Sequence, residues 1–342
     1  MIRTKTTLVV GAGASAELQF PDSAALLTRI AGGLEFARLG TEVVSDDIAA
    51  MAAHLEAIAE AARVNKSHLF KAGQQIRSAA RLGGSIDAVL EQFGDNPMVL
   101  AVGKLAITHF TLAAEAESPL AAEPRDPGDL PVRGSENWLF QLAQAIVSGV
   151  PRAKADRCLD NLSIISFDYD RSIETYLPWA LSMAFGMNIV EARELVAEKL
   201  RLIHVYGTPG RLDWQSGKEP VADWGARTID NLPAVVEQIH SLSERLEERG
   251  FKRKLFGELV FGKRLLFLGF GFDAMNCSLL FDAPMEHYPD VYIAMPGASE
   301  TQQVAVRKVL LTLAKLKQEE AITIADVSAW QLLRDYASYL QS

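Results

Sequence analysis

VVGAGASAELQFPD, residues 9–22, is the stretch on which the reading of this chain turns. Two valines run straight into Gly-Ala-Gly-Ala-Ser, and Pro-Asp follows. The β-branched pair reads as the end of a buried strand and the glycines as a tight turn into a helix. Such a junction aims backbone N–H groups and a helix dipole at one spot, which makes an anion site of Gly11, Ala12, Gly13, Ala14 and Ser15. The dinucleotide fingerprint asks for Gly-x-Gly-x-x-Gly, with an acid about 20 positions later. Gly11 and Gly13 fit, Ala16 takes the third place and Glu35 stands near the distance of the acid. A phosphate cradle and a purely structural turn both satisfy this stretch.

Working outward, short β-branched runs recur: TTLVV (6–10), LSIISF (162–167), LIHVYG (202–207), LLFLGFG (265–271), VYIAMP (291–296) and AITIADV (321–327). Several are apolar on both faces, as in the central strands of a parallel sheet covered by helices. The expected fold is α/β: a Rossmann-like, doubly wound parallel sheet. Residues 22–158 separate the first two strands and read as a large, mostly helical insertion. The α/β core is 1–21 plus 159–342, and the whole of 1–342 is one domain. Within the insertion, helical patterns run over 45–64, 85–93, 97–117 and 135–150, the last with Ser135 as its cap. Residues 118–134, with four prolines, read as a surface loop. Later helices are expected over 190–200, 232–250, 299–318 and 328–340, with Gly250 closing the second of them.

Composition bounds the function. The 342 residues carry a formal charge of −9, and 49% are hydrophobic. So acidic a chain is poorly suited to bind nucleic acid over its whole surface, although a local basic patch is compatible with it. Cys158 and Cys277 are too few for a four-thiolate zinc site or a disulfide framework, which points to a reducing compartment. No stretch reaches the roughly 18 uninterrupted apolar residues of a spanning helix, and the start lacks a signal-peptide pattern. The expectation is a soluble cytoplasmic protein.

Three further stretches sit at strand ends, where parallel sheets gather ligands. SFDYDRSIE (166–174) offers Asp168 and Asp170 for ribose hydroxyls or acid–base work, with helix capping as the plainer role of Asp170. HVYG (204–207) offers His204 as a general base; the other five histidines show no ligand spacing. GFGFDAMN (269–276) offers Gly269 and Gly271 for close backbone approach. Asp273 or Asn276 there could bond a ribose or cap the next helix.

This ordered set resembles the sirtuin family, in particular its zinc-less branch from bacterial defence systems. GAGAS…PD at 11–22 looks like the sirtuin opening, and Asp-Tyr-Asp at 168–170 holds the place of a sirtuin-like Asn-x-Asp. HVYG looks like the His-Gly region; SIDAVL (85–90) and the late glycine loop resemble that branch. The resemblance spans residues 6 to about 330. It implies NAD as substrate, no zinc, and cleavage to nicotinamide and ADP-ribose by a glycohydrolase of antiphage defence. Gly11–Ser15 would hold the diphosphate, with Asp22, Phe167 and Asp170 nearby. His204 and Asp168 would be catalytic, and Asp273 with Asn276 would hold the adenosine half. It further implies a homo-oligomer and a partner such as a ring ATPase. Asp168 departs from the family Asn and lacks its amide donor. The alternative is therefore an impaired subunit that binds NAD or ADP-ribose, or only scaffolds. An ordinary NAD-dependent oxidoreductase fits less well, for want of a ribose acid and a separate substrate domain.

Overall fold

The computed structural model describes residues 1–38, 44–122, 129–132, 134–285, 287–316 and 319–341. All six expected strands form: β1 (Thr6–Val10), β2 (Leu162–Ser166), β3 (Arg201–His204), β4 (Arg264–Leu268), β5 (Asp290–Ala294) and β6 (Ile322–Ala325). They make one parallel sheet in the order β3-β2-β1-β4-β5-β6. That is a Rossmann-like α/β arrangement, whose chain order reverses direction between β1 and β4.

Strand periodicity of two divides the core. Val9, Ile165, Ile203, Leu265 and Phe267 belong to one buried cluster. Their neighbours Leu8, Val10, Ile164, Leu266 and Leu268 belong to the other. The first cluster takes in the helices Asp46–Ala62, Lys66–Ala79, Pro97–Glu117 and Phe251–Phe261. The second takes in Trp138–Val147, Ser172–Phe185 and Ala329–Asp335. The helices between β1 and β2 are thus shared between both sheet faces. Pro97–Glu117 is long and apolar enough to cross a membrane by composition, but here most of it is buried in the fold.

Two polar anchors hold these layers. The Arg171 guanidinium bonds the Glu115 carboxylate through Nε (2.9 Å) and Nη2 (2.5 Å), with side chains 1% and 0% exposed. It also donates to the carbonyls of Ala222 and Asp223, tying the loop after β3 to the Pro97–Glu117 helix. Glu17 accepts N–H bonds from Trp138 (2.8 Å) and Trp330 (3.1 Å), so one carboxylate serves two helix starts.

Some local expectations need correction. The helix expected over 135–150 is capped by Asn137, whose side chain accepts the Phe140 N–H at 2.8 Å, and not by Ser135. The stretch 232–250 breaks into Leu232–Val236 and Leu242–Glu247, because a Ser241–Glu244 capping box starts a new helix. Gly250, at φ 87°, opens the helix Phe251–Phe261 and closes none. The pattern over 328–340 splits at Tyr336. Of the expected loop 118–134, residues 123–128 and 133 lie outside the described residues, as do 317–318 of the helix expected over 299–318.

Candidate functional site

Register builds the site. Val10 pairs with Ser166 and Leu268, and Ser166 with His204, so four strands end flush. The residues that follow them, Gly11, Phe167, Val205 and Gly269, share the carboxyl rim at the switch point. A cavity of about 280 Å³ opens there. It is lined by Gly11, Ala12, Gly13, Asp22, Phe167, Asp168, Gly269, Gly271, Asp273 and Asn276, so most of the expected site residues converge. Ala14, Ser15, Asp170 and His204 are not on its wall. Among the described residues its lining carries four carboxyl groups (Asp22, Asp87, Asp168, Asp273) and no Lys, Arg or His.

Asp168 is the unusual group. Ser15 Oγ lies 2.6 Å from Asp168 Oδ2 and 3.0 Å from Asp170 Oδ2. One hydroxyl proton cannot serve two carboxylates. A protonated Asp168 resolves this, donating to Ser15 Oγ while Ser15 donates to Asp170. Burial, reinforced by the neighbouring Asp170 charge, raises the Asp168 pKa to about 8. Asp170 accepts the Ser172 N–H through Oδ1 (2.9 Å), so it fixes the following helix start as well as its neighbour.

His204 does not reach the cavity as a free base. Its Nε2 faces Glu174 Oε1 at 2.9 Å, and its Nδ1 faces the Asp168 carbonyl at 3.3 Å. Burial opposes a charged imidazole, but the Glu174 carboxylate outweighs it and raises the His204 pKa. The same pairing overcomes the burial of Glu174 and lowers its pKa. This buried ion pair sits behind Asp168 and holds its backbone.

The glycines serve the fold before any ligand. A Cβ on Gly13 would come within 2.9 Å of Gly269 Cα, and one on Gly11 within 2.8 Å of Gly269 O. The Gly11 N–H bonds Leu268 O, that of Gly13 bonds Gly269 O (3.2 Å), and that of Ala14 bonds Gly11 O. The turn expected to cradle a diphosphate therefore has much of its donor set engaged within the protein. Gly271 differs, since a Cβ there would meet nothing within 4 Å. Glu35, the sequence-spaced ribose acid, pairs with Arg77 at 2.5 Å, away from the rim.

The cavity residues not expected as site residues include Asp87, Tyr169 and Tyr206. The Tyr169 hydroxyl donates to Asp87, whose pKa burial raises. The Tyr206 hydroxyl donates to Asn276 Oδ1 (2.6 Å), and Asn276 Nδ2 donates to Asp273 (2.6 Å). An aromatic residue just past a strand end was the available signal, in DYD and HVYG alike. Among the described residues, no group of three or more His, Cys, Asp or Glu is arranged to hold a metal ion.

Fold and site define the chain as a Rossmann-like α/β protein with an acid-lined cavity at its switch point. It matches no protein-family model and no curated protein.

Proposed function

We propose that this protein is an NAD glycohydrolase of the sirtuin-like type, cleaving the bond between nicotinamide and ribose. The observation that carries the reading is Asp168, a half-buried carboxyl with its pKa raised to about 8, on the wall of a cavity rich in acids and, among the described residues, free of cationic side chains. Four carboxyl groups disfavour a diphosphate and suit a cationic pyridinium with ribose hydroxyls. The volume, near the lower end of the roughly 300–1,000 Å³ of small-molecule sites, suits the nicotinamide riboside half, with the remainder outside.

In this mechanism the glycosidic bond breaks first, its electron pair leaving with neutral nicotinamide. The positive charge passes to the ribose as an oxocarbenium-like centre. Asp168 in its ionised form opposes that charge and takes the proton of the attacking water, yielding ADP-ribose. A carboxylate with a pKa near 8 is a far better base than an ordinary one. Ser15 and Asp170 hold its geometry, and the Glu174–His204 pair positions its backbone.

The test is nicotinamide release from NAD by the purified protein between pH 5 and 9. The rate is expected to rise tenfold per pH unit and level off near 8. Asp168→Asn is expected to lower it by about 10²–10⁴-fold. A second reading, a subunit that binds NAD or ADP-ribose without turnover, draws on the engaged N–H groups of Gly13 and Ala14 and the enclosure of His204. Saturable NAD binding with no turnover, or turnover that rises in Asp168→Asn, would select it.

A further inference from the structure

A second cavity lies at the opposite edge of the sheet. It is a groove of about 880 Å³ at the amino ends of β1, β4 and β5. One wall is the end of the Phe251–Phe261 helix, with Phe256, Val260 and Phe261. The other includes Pro284, His287 and Tyr288, the last 51% exposed. Lys5 and Lys263 both line it, their backbones joined by a bond from the Lys263 N–H to the Lys5 carbonyl at 2.8 Å. Both lysines are exposed, and neither has a carboxylate partner among the described residues. Nearby cations differ in this respect: Lys252 pairs with Asp282 (3.1 Å) and Arg201 with Glu258 (2.9 Å). Asp290 stands on the rim.

Two exposed lysines with no carboxylate partner among the described residues, on a chain of charge −9, give this groove a local positive charge suited to an anion. The aromatic wall asks that this anion carry a planar body. The faces of Phe261 are already covered by Lys5 (5.0 Å) and Arg201 (4.2 Å), so the open aromatic surface is that of Tyr288 and Phe256. We propose that this groove binds a nucleoside monophosphate. The phosphate sits between Lys5 and Lys263, the base stacks on Tyr288, and Asp290 accepts from a ribose hydroxyl or an exocyclic amine. The site is separate from the Asp168 cavity and does not rest on the reading of that cavity.

The experiment is calorimetric titration of the full chain with AMP, adenosine and inorganic phosphate at low ionic strength. Saturable binding of AMP is expected, at least tenfold tighter than either fragment. Lys5→Glu with Lys263→Glu should weaken it tenfold or more, and Tyr288→Ala about fivefold or more. Asp168→Asn should leave it unchanged. The Lys5, Lys263 and Tyr288 side chains are exposed, and circular dichroism checks that each variant is folded. The proposal is overturned if AMP does not bind, if adenosine or phosphate binds as tightly, or if affinity survives the lysine reversals. It is equally overturned if binding is lost in Asp168→Asn, which would place the ligand at the other edge.

Discussion

The two edges of this sheet carry opposite chemistry. At the carboxyl edge the cavity presents Asp22, Asp87, Asp168 and Asp273, and at the amino edge the groove presents Lys5, Lys263 and Arg264. Parallel βα geometry accounts for much of the contrast. Helices start at the carboxyl edge, and their partially positive N-termini favour acids. Asp22 and Asp273 are N-caps, and Asp87 lies in a first turn. The Phe251–Phe261 helix ends at the amino edge, just before Lys263, where the helix dipole favours cations. Asp168 is the exception that this rule leaves standing. It caps no helix, and it is held by Ser15 beside a second carboxylate. Among the acids of the rim, its placement is therefore not accounted for by helix termination.

The largest expected effect tests how firmly the carboxyl edge is fixed. Glu115→Ala strands the buried Arg171 and should cost about 3–5 kcal/mol in urea denaturation. Its more exposed counterpart at the other edge, the Arg201–Glu258 pair, should cost about 1 kcal/mol or less when Arg201 becomes Ala, since Glu258 keeps its bond from Ser163. Equal losses would erase the contrast between the two edges.

Asp168 gives the next effect. Its folded pKa of about 8 lies above its ordinary 3.8, so its stability contribution is fully present in acid and is lost as pH rises through this window. Asp168→Asn removes the liability. The mutant should gain on wild type as pH rises toward 8, then run parallel above it. A gap that does not change with pH would show an ordinary surface carboxylate.

Gly269→Ala should destabilise by about 1–3 kcal/mol, since φ is +62° and a Cβ would meet the backbone N of Ala14. Gly271→Ala, two residues on, should be near neutral in the same melt. The cap Asp22→Ala should cost about 1 kcal/mol. The smallest expected signal is spectroscopic: Glu174→Gln should lower the His204 pKa, read from its ring resonances across a pH titration. An unchanged pKa would mean that Glu174 does not hold the imidazole charge.

Strand positions were legible because each is a local apolar run, and the glycine turn, DYD and GFGFD all fell at strand ends as their spacing required. Helices with weaker local patterns, Ser23–Gly33, Lys66–Ala79 and Phe251–Phe261, were not. The basic run from Arg249 to Lys254 hides the amphipathic face that buries Phe251, Leu255 and Leu259. The site was legible as a rim, but the roles within it were not. His204 looked like a free base because nothing in HVYG foretells a partner at Glu174, 30 residues earlier. Asp87 looked like a helix-start residue because its place in the cavity depends on a packing partner, Tyr169, that lies 82 residues away.

By itself, then, the sequence determined the parallel α/β sheet and which chain segments meet at its carboxyl edge, because side-chain periodicity and turn chemistry act over a few residues. Tertiary structure alone decided which of those residues face the cavity and in what protonation state. Ser15 and Asp168 are 153 positions apart, and Glu115 and Arg171 are 56. The desolvation and charge coupling that set their chemistry exist only once packing brings them together.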